Sequence, residues 1–305
     1  MSEPTFGVVL LNWNGCEDTE AALQSLLVAT PRPSRVVVVD NGSADESVPR
    51  LRAWISENAP DTDGERWATL IEEPVNHGFS GGNNIGLAFL ARTEVSHFLL
   101  LNNDATVAPD YFARIADAIR AHPDAALIGC VIHYHPDRDR IWFAGGREIP
   151  FRALMLHVYE LPQSMEPQDT PFVTGCAMVI SRALYDANGG LAECYNPIYW
   201  EDTDYSAQAR ANGWQVMLVP RARVFHKVGA SVGGERITPR VAYWQNRNRG
   251  YYVRRNYHGF DRIAALVYLV MTKPARALVE LLRGRPAMSS AILRGFARGL
   301  TSPDV

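Results

Sequence analysis

The stretch Phe98-Leu99-Leu100-Leu101-Asn102-Asn103-Asp104-Ala105 constrains the fold of this chain more than any other. Four apolar residues in a row read as a buried strand, and three polar residues then arrive at once, the last an acid. A strand that delivers a carboxylate at its C-terminal end is how an open α/β sheet places a ligand for a metal or a phosphate-bearing substrate. Taken alone, Asp104 reads equally well as a turn or N-cap residue. Two more segments break the tie. Val36-Val37-Val38-Val39 runs into Asp40-Asn41-Gly42-Ser43, and Val8-Val9-Leu10-Leu11 runs into Asn12-Trp13-Asn14-Gly15. Three apolar strands with polar ends predict a parallel sheet with a site along its carboxyl edge.

The intervening pattern supports this. Residues 6–12 predict a strand, Asp18 to Leu27 a helix, 36–40 a strand, Glu46 to Asn58 a helix and 68–72 a strand. A Gly/Asn-rich loop leads to a helix expected from Asn84 to Arg92, then to the strand 97–101. This is β-α-β-α-β-α-β, the order of a largely parallel α/β sheet with right-handed crossovers. Beyond it, short strands are expected near 127–132, 140–144 and 155–159. A polar loop at 161–171 precedes a strand from Phe172 to Ser181. A helix from Tyr199 to Asn212 is stopped by Gly213, and strands follow at Val216 to Val219 and Ala222 to Phe225. From about residue 240 the pattern is helical and basic.

Charge is unevenly placed. Residues 236–305 carry 13 Lys and Arg against 3 Asp and Glu, whereas residues 1–235 carry 17 against 30. An acidic body with a basic tail points to different partners for the two parts. Cys16, Cys130, Cys176 and Cys194 are far apart and form no CxxC pair, so they read as reduced, mostly buried thiols. Met1 leads within a few residues into a strand-like segment, so no signal peptide is expected. The longest apolar run, Ile263 to Met271, is far below the ~18–20 residues that span a bilayer. The expected setting is a reducing, cytoplasmic one.

Three features could carry chemistry. The loop Asn76-His77-Gly78-Phe79-Ser80-Gly81-Gly82-Asn83-Asn84-Ile85-Gly86 could bring backbone N–H groups to a phosphate, or could be a simple turn. It lacks the lysine of a P-loop, and Asn12-Trp13-Asn14-Gly15 lacks the glycine spacing of a nicotinamide-binding Rossmann turn. In Trp200-Glu201-Asp202-Thr203-Asp204, three carboxylates open a helix, where they complement its dipole. They also crowd among Tyr195, Tyr199, Trp200 and Tyr205, and acids packed on aromatics make general bases. His226 follows Val224-Phe225 as either a structural histidine or, with Asp104, a second ligand for a divalent ion.

Together these stretches resemble the family 2 inverting glycosyltransferases of GT-A fold, especially their rhamnosyltransferase-like branch. The resemblance runs in order through Val8 to Gly15, Val37 to Ser43, Asn76 to Gly86, Leu99 to Asp104, Thr174 to Ile180, Asn188 to Leu191, Trp200 to Asp204 and Val219 to Ser231. It implies a mostly parallel open α/β sheet flanked by helices. Residues 1–235 would form the GT-A domain, with a nucleotide-binding half (1–105) and an acceptor-binding half (106–235). Residues 236–305 would be a basic helical extension. Asp40 matches the acid that contacts the nucleotide, and Asn12, Asn14, Asn76, Gly78, Asn84 and Asn103 fall around the donor. Asp104 and His226 match the ligands of a Mg²⁺ or Mn²⁺ ion, Asn102 standing where the motif often has its first Asp. Asp202 matches the catalytic base, Gly175 and Cys176 the small residues beneath the donor sugar, and Trp200 and Glu201 the acceptor side. Ala192 stands where an acid is common, with Glu193 beside it.

The implied reaction transfers a sugar, rhamnose or another deoxysugar, from a dTDP- or UDP-sugar to a hydroxyl on a glycan, glycolipid or small molecule. An inactive GT-A-like scaffold is the competing reading, and both acids it would have lost, Asp104 and Asp202, are present. A nucleotidyltransferase would carry a basic Gly-rich loop after the first strand, and Asn12 to Cys16 has no Lys or Arg. Residues 244–256 interleave arginines with aromatics. They could form a lid or homodimer interface, or touch an anionic membrane. Nucleic acid is not expected as a partner, since no nucleic-acid-binding fold accompanies the charge.

Overall fold

The computed structural model describes residues 3–62, 65–228 and 237–302. The end of the stretch Val219 to Ser231 and the expected boundary at 235/236 lie outside the described residues.

The first half alternates as its sequence requires. The elements are β1 (Phe6–Asn12), α1 (Cys16–Leu27), β2 (Arg35–Asn41), α2 (Ser47–Asn58), the short pair β3 (Asp61–Thr62) and β4 (Glu65–Arg66), β5 (Ala68–Glu73), α3 (Gly78–Leu90) and β6 (His97–Asn102). β6, β1, β2 and β5 lie side by side and parallel. Because successive side chains alternate faces, Val8, Leu10, Val36, Val38, Leu99 and Leu101 pack on one side with α1. Val9, Val37, Val39, Phe98 and Leu100 pack on the other with α3. Both faces are covered, which is why these strands read as unbroken apolar runs.

α3 begins six residues before the helix expected at Asn84. The glycines that read as a loop are its first turns, and they let it press on the sheet. A Cβ on Gly86 would lie 2.4 Å from a methyl of Val9.

The second half extends the sheet. β7 (Ala105–Val107) and α4 (Tyr111–Ala121), a helix the sequence reading did not assign, lead to β8 (Ala125–Tyr134). Then come β9 (Ile141–Phe143), β10 (Gly146–Ile149), β11 (Leu154–His157), β12 (Gln168–Asp169), β13 (Ala177–Ser181), α5 (Arg182–Asn188), α6 (Glu201–Ala211) and β14 (Gln215–His226). β13 runs antiparallel between β6 and β8, and β14 lies parallel to β8. The ladder order is β12-β14-β8-β13-β6-β1-β2-β5. Two expectations change here. The strand expected from Phe172 begins only at Ala177, because Gly175 turns its N–H to Asp202 instead of a neighbouring strand. The two strands expected at 216–219 and 222–225 are one, with a register shift between Val219 and Arg223, where Pro220 has no N–H to offer the ladder.

The C-terminal helices are α7 (Pro239–Asn256), α8 (Gly259–Leu282) and α9 (Pro286–Thr301). They pack through Tyr251, Tyr252, Val253, Ala265, Leu269 and Phe296 onto Tyr195 and Ala153 of the α/β body. No helix among the described residues is long and apolar enough to cross a membrane.

Candidate active site

At the carboxyl edge of β1, β2 and β6 the polar strand ends join into one network. Asn12 is fully buried and donates to Asp40 (2.7 Å) and to the Ser43 hydroxyl (3.2 Å), while accepting from Thr19 (2.7 Å). Asp40, also buried, accepts from the Ser43 N–H (3.0 Å) and hydroxyl (2.7 Å). Asn14 adopts positive φ; its N–H donates to Ser43 and its side chain accepts from Ala44, both at 2.8 Å. Asn103 donates to Thr19 (3.1 Å) and the Gly15 carbonyl (3.3 Å). Four expected donor residues thus hold one another, with Ser43 and Thr19 as their common partners. The edge is preorganised, and Asp40 lies beneath its surface.

The glycine loop serves the next layer. Asn76 accepts from Asn41 (3.2 Å) and from Gly78 N–H (2.8 Å). Gly78 sits at φ +73°, and a Cβ there would lie 2.6 Å from Asn196 Oδ1, so only glycine fits. Asn84 faces away from this edge. Its amide exchanges two hydrogen bonds with the Leu191 backbone (2.8 and 2.9 Å) and donates to Glu193 (3.1 Å). It ties α3 to the segment before α6.

Asp104 and His226 come together across 122 residues of sequence. His226 Nε2 is 3.0 Å from Asp104 Oδ1, and both side chains are 7% exposed. β7 pairing with β14 brings them there, with Ala105 opposite His226. Trp142 meets the His226 ring edge-on at 4.8 Å and the His157 ring at the same distance. Burial holds His157 below the usual imidazole range, with Asp202 opposing part of the effect. Burial, with the charges of Asp104 and Asp202, pushes the Cys176 thiol well up. Ring contacts and electrostatic interactions thus link Asp104, His226, Trp142, His157, Cys176 and Asp202 in one neighbourhood.

Asp202 stands in the first turn of α6. Its Oδ2 accepts from Gly175 N–H (2.9 Å) and its Oδ1 from Thr203 N–H (2.6 Å) and hydroxyl (3.2 Å). Each carboxylate oxygen has two accepting directions, and among the described residues Oδ2 uses one. The neighbouring Glu201 is buried; desolvation, then the charges of Asp202 and Asp204, raise it to about 8. At neutral pH it keeps its proton and adds no charge beside Asp202.

The turn that delivers Asp202 is strained. Tyr199 and Trp200 both have positive φ, 71° and 86°, which is uncommon for bulky residues and persists only when the surroundings enforce it. α7 supplies the enforcement. Asn248, fully buried, places its amide nitrogen 2.7, 2.8 and 3.0 Å from the carbonyls of Tyr195, Ile198 and Tyr199. Arg247 donates to the carbonyls of Cys194 (2.9 Å) and Asn196 (2.7 Å). Trp200 packs on Tyr252 with ring centroids 5.0 Å apart. Asp204 accepts from Tyr195 (2.8 Å), Asn256 (2.6 Å) and Arg255 (3.1 Å). Burial still raises its carboxyl against those three partners.

Sequence reasoning missed this clamp. Its signal was present: Asn246, Asn248 and Asn256 are uncharged amides in an arginine-rich helix, and such residues weaken a helix unless a partner satisfies them. The arginines of 244–256, which suggested an external partner, bond mostly inward. Arg249 reaches the Arg152 carbonyl and Arg254 those of Gly299 and Ser302. No sequence signal marked Trp142 or His157.

The sequence model described as Glycosyl transferase family 2 matches residues 8–189. An uncharacterized protein, y4gI, of Sinorhizobium fredii is 26% identical over 242 residues. That alignment takes in 76% of this chain, which spans only 25% of that relative's length. An N-acetylglucosaminyl-diphospho-decaprenol L-rhamnosyltransferase of Mycobacterium tuberculosis is 25% identical over 253 residues, covering 74% of this chain and 77% of its own. Among solved structures, a mannosyltransferase from Pyrobaculum calidifontis in complex with GDP-Man and Mn²⁺ superposes with a TM-score of 0.59 at 16% identity. It covers 99% of this chain and 89% of its own, so the likeness of fold includes the C-terminal helices.

Proposed function

The chain belongs to glycosyl transferase family 2, and from that premise we propose that it transfers a sugar from a nucleoside diphosphate to an acceptor hydroxyl with inversion. The observation that carries this reading is the buried Asp104–His226 pair together with Asp202, oriented by the Gly175 N–H in the first turn of α6. Asp202 takes the proton from the acceptor hydroxyl as its oxygen bonds to the anomeric carbon. The sugar–phosphate bond breaks on the opposite face, and one displacement inverts the configuration. Gly175 serves twice: its N–H orients Asp202, and its lack of a side chain leaves room beside the Phe79 ring, 3.0 Å from where a Cβ would stand.

Asp104 and His226 fit a divalent ion by their chemistry: a carboxylate and an imidazole nitrogen already 3.0 Å apart and largely buried. No cluster of three His, Cys, Asp or Glu stands ready for a metal among the described residues, so Mg²⁺ or Mn²⁺ would rely on diphosphate oxygens for further ligands. When bound, such an ion supplies positive charge to the leaving diphosphate.

The rhamnosyltransferase relative supports a deoxysugar such as rhamnose as the group transferred; on the proposed reading its carrier is dTDP or UDP and its acceptor a glycan, a glycolipid or a small molecule. The four cysteines are free and three are buried, which supports a reducing, cytoplasmic setting. The reading is tested by incubating the chain with a panel of nucleoside-diphosphate sugars and Mn²⁺ and following melting temperature and donor turnover. A sugar diphosphate should raise the melting temperature, and the product's anomeric configuration, read by NMR, should be inverted. Stabilisation by NAD or a nucleoside triphosphate alone, with no sugar released, would overturn it.

A further inference from the structure

A lysine interrupts the packed face of α8. On that face Ala265 and Leu269 are buried against the tyrosines of α7, and Ala277 against Ala242 and Ile292. Lys273 stands four residues after Leu269 and four before Ala277, so it shares their face, one turn from each. It is partly buried there, a place that lysine seldom takes without a partner. Among the described residues it makes no hydrogen bond or ion pair. The charges that reach it are those of Arg249 and Arg276, both cations. Burial, with these two, lowers its ammonium to about 7.

Arg249 comes from α7 to the same corner. Its Nη2 donates to the Arg152 carbonyl, in the turn Pro150–Arg152 between β10 and β11, while its Nε is buried with no hydrogen-bond partner. Burial holds this guanidinium below its usual range, opposed only by the hydroxyls of Tyr268 and Tyr257. The Arg152 guanidinium lies over the Tyr268 ring, 5.7 Å from its centroid, and over Phe151 at 5.2 Å. The acids of this region are committed elsewhere. Glu148 accepts from Tyr257 (2.5 Å), and Glu280 is shared by Arg276, Arg283 and Arg285.

Two cations drawn together out of water repel each other and lose hydration, and such groups are normally paired with an anion. Here the donors are in place and the acid is not. Their number sets the class of ligand. Lys273 has three N–H donors to give and Arg249 one buried N–H without a partner. A single carboxylate would answer only part of that set. A phosphoryl group carries close to two negative charges and several strong acceptor oxygens, the charge-assisted match for an arginine beside a lysine. We propose that the corner between α7, α8 and the β10–β11 turn binds a phosphoryl group, with Arg249 and Lys273 on its oxygens and the exposed Arg152 and Arg276 at its rim. The site uses none of the residues assigned to donor, metal or base, so it goes beyond the transfer reading and does not depend on it.

Two probes test it on the full chain, both in chelator and at fixed ionic strength, so that no divalent ion assists binding at the donor edge. The first is inorganic pyrophosphate, followed by calorimetric titration and melting temperature. The second is sedimentation with phosphatidylcholine vesicles containing phosphatidic acid, against pure phosphatidylcholine. Lys273→Met keeps the length of the side chain and removes its charge. It should melt above the wild type in anion-free buffer at pH 6, where it removes an unpaired cation, and should lower affinity for the phosphoryl probe at least about tenfold. Lys273→Arg should keep most of that affinity, and Arg249→Gln should lower it as Lys273→Met does. A pyrophosphate response that Lys273→Met removes supports the site and identifies a soluble phosphoryl ligand. Binding to phosphatidic acid vesicles alone, removed by the same substitution, supports it and identifies a lipid headgroup. Binding of neither probe would overturn the proposal, as would binding that Lys273→Met and Arg249→Gln both leave unchanged. No donor or acceptor takes part, so failure here leaves the transfer reading standing.

Discussion

Asn248→Ala separates holding the proposed base, Asp202, from merely stabilising the fold. The Asn248 amide offers two hydrogens to three buried carbonyls, those of Tyr195, Ile198 and Tyr199, at 2.7 to 3.0 Å. Each intramolecular hydrogen bond contributes about 1 kcal/mol net, and a buried carbonyl left dry costs about 1–3 kcal/mol. Losing two full bonds should destabilise the protein by roughly 2–4 kcal/mol and lower Tm by about 4–10 °C. The same bonds hold Tyr199 and Trp200 at positive φ, each an unfavourable conformation by about 1–3 kcal/mol. Released, the turn should relax toward ordinary backbone angles and carry Asp202 with it. A displacement near 1 Å costs up to about 100-fold in rate, so kcat should fall at least tenfold at temperatures well below the variant's Tm. Donor affinity should change by less than about threefold, since the Asn12–Asp40–Ser43 network is on other elements. The assays are calorimetric melting, donor titration and steady-state transfer. A variant that melts early yet turns over at the wild-type rate would refute the reasoning and reduce the α7 clamp to a stability element.

Asp202→Asn should lower transfer roughly 10²–10⁴-fold. It should also lose about 1–3 kcal/mol of stability, because one side of the amide must turn N–H groups toward the N–H of Gly175 or Thr203; wild-type turnover would remove it as the base. Glu201, at about 8 in the fold against 4.5 unfolded, binds its proton more tightly when folded. Stability should therefore fall as pH rises from about 4.5 to 8, a penalty of a few kcal/mol that persists above that range. Glu201→Gln should flatten this slope in denaturant melts at a series of pH values, and an unchanged slope would contradict the assignment. A chelator should abolish transfer, with Mn²⁺ or Mg²⁺ restoring it, and Asp104→Ala should weaken donor binding itself. Full activity in chelator would leave Asp104 and His226 as a structural pair.

The sequence by itself determined the α/β half and the edge where its chemistry collects. Runs such as Val36 to Val39 are apolar on both faces, so they must be central parallel strands, and the polar residues that end them must emerge together. Asp104, His226 and Asp202 stood out as candidates because each follows or opens a regular element whose direction is fixed by local pattern. The sequence offered Asp104 and His226 together as one reading, but what joins them, β7 pairing with β14 across more than a hundred residues, was not legible. The start of α3 was hidden for a related reason: Gly78 to Gly86 have poor intrinsic helix propensity, and only contact with Val9 and Leu11 explains why small residues are needed there. The C-terminal segment shows the limit most plainly. Its arginines and amides declared a charged helix, but charge says nothing of which way a side chain faces. Only the packed structure turned Arg247, Asn248 and Arg255 inward to hold the turn that carries Asp202 and left the apolar residues of α8 outside. Hydrogen bonds to backbone carbonyls recognise a conformation instead of a residue type, so the amides of α7 could signal that partners exist but not which carbonyls they meet.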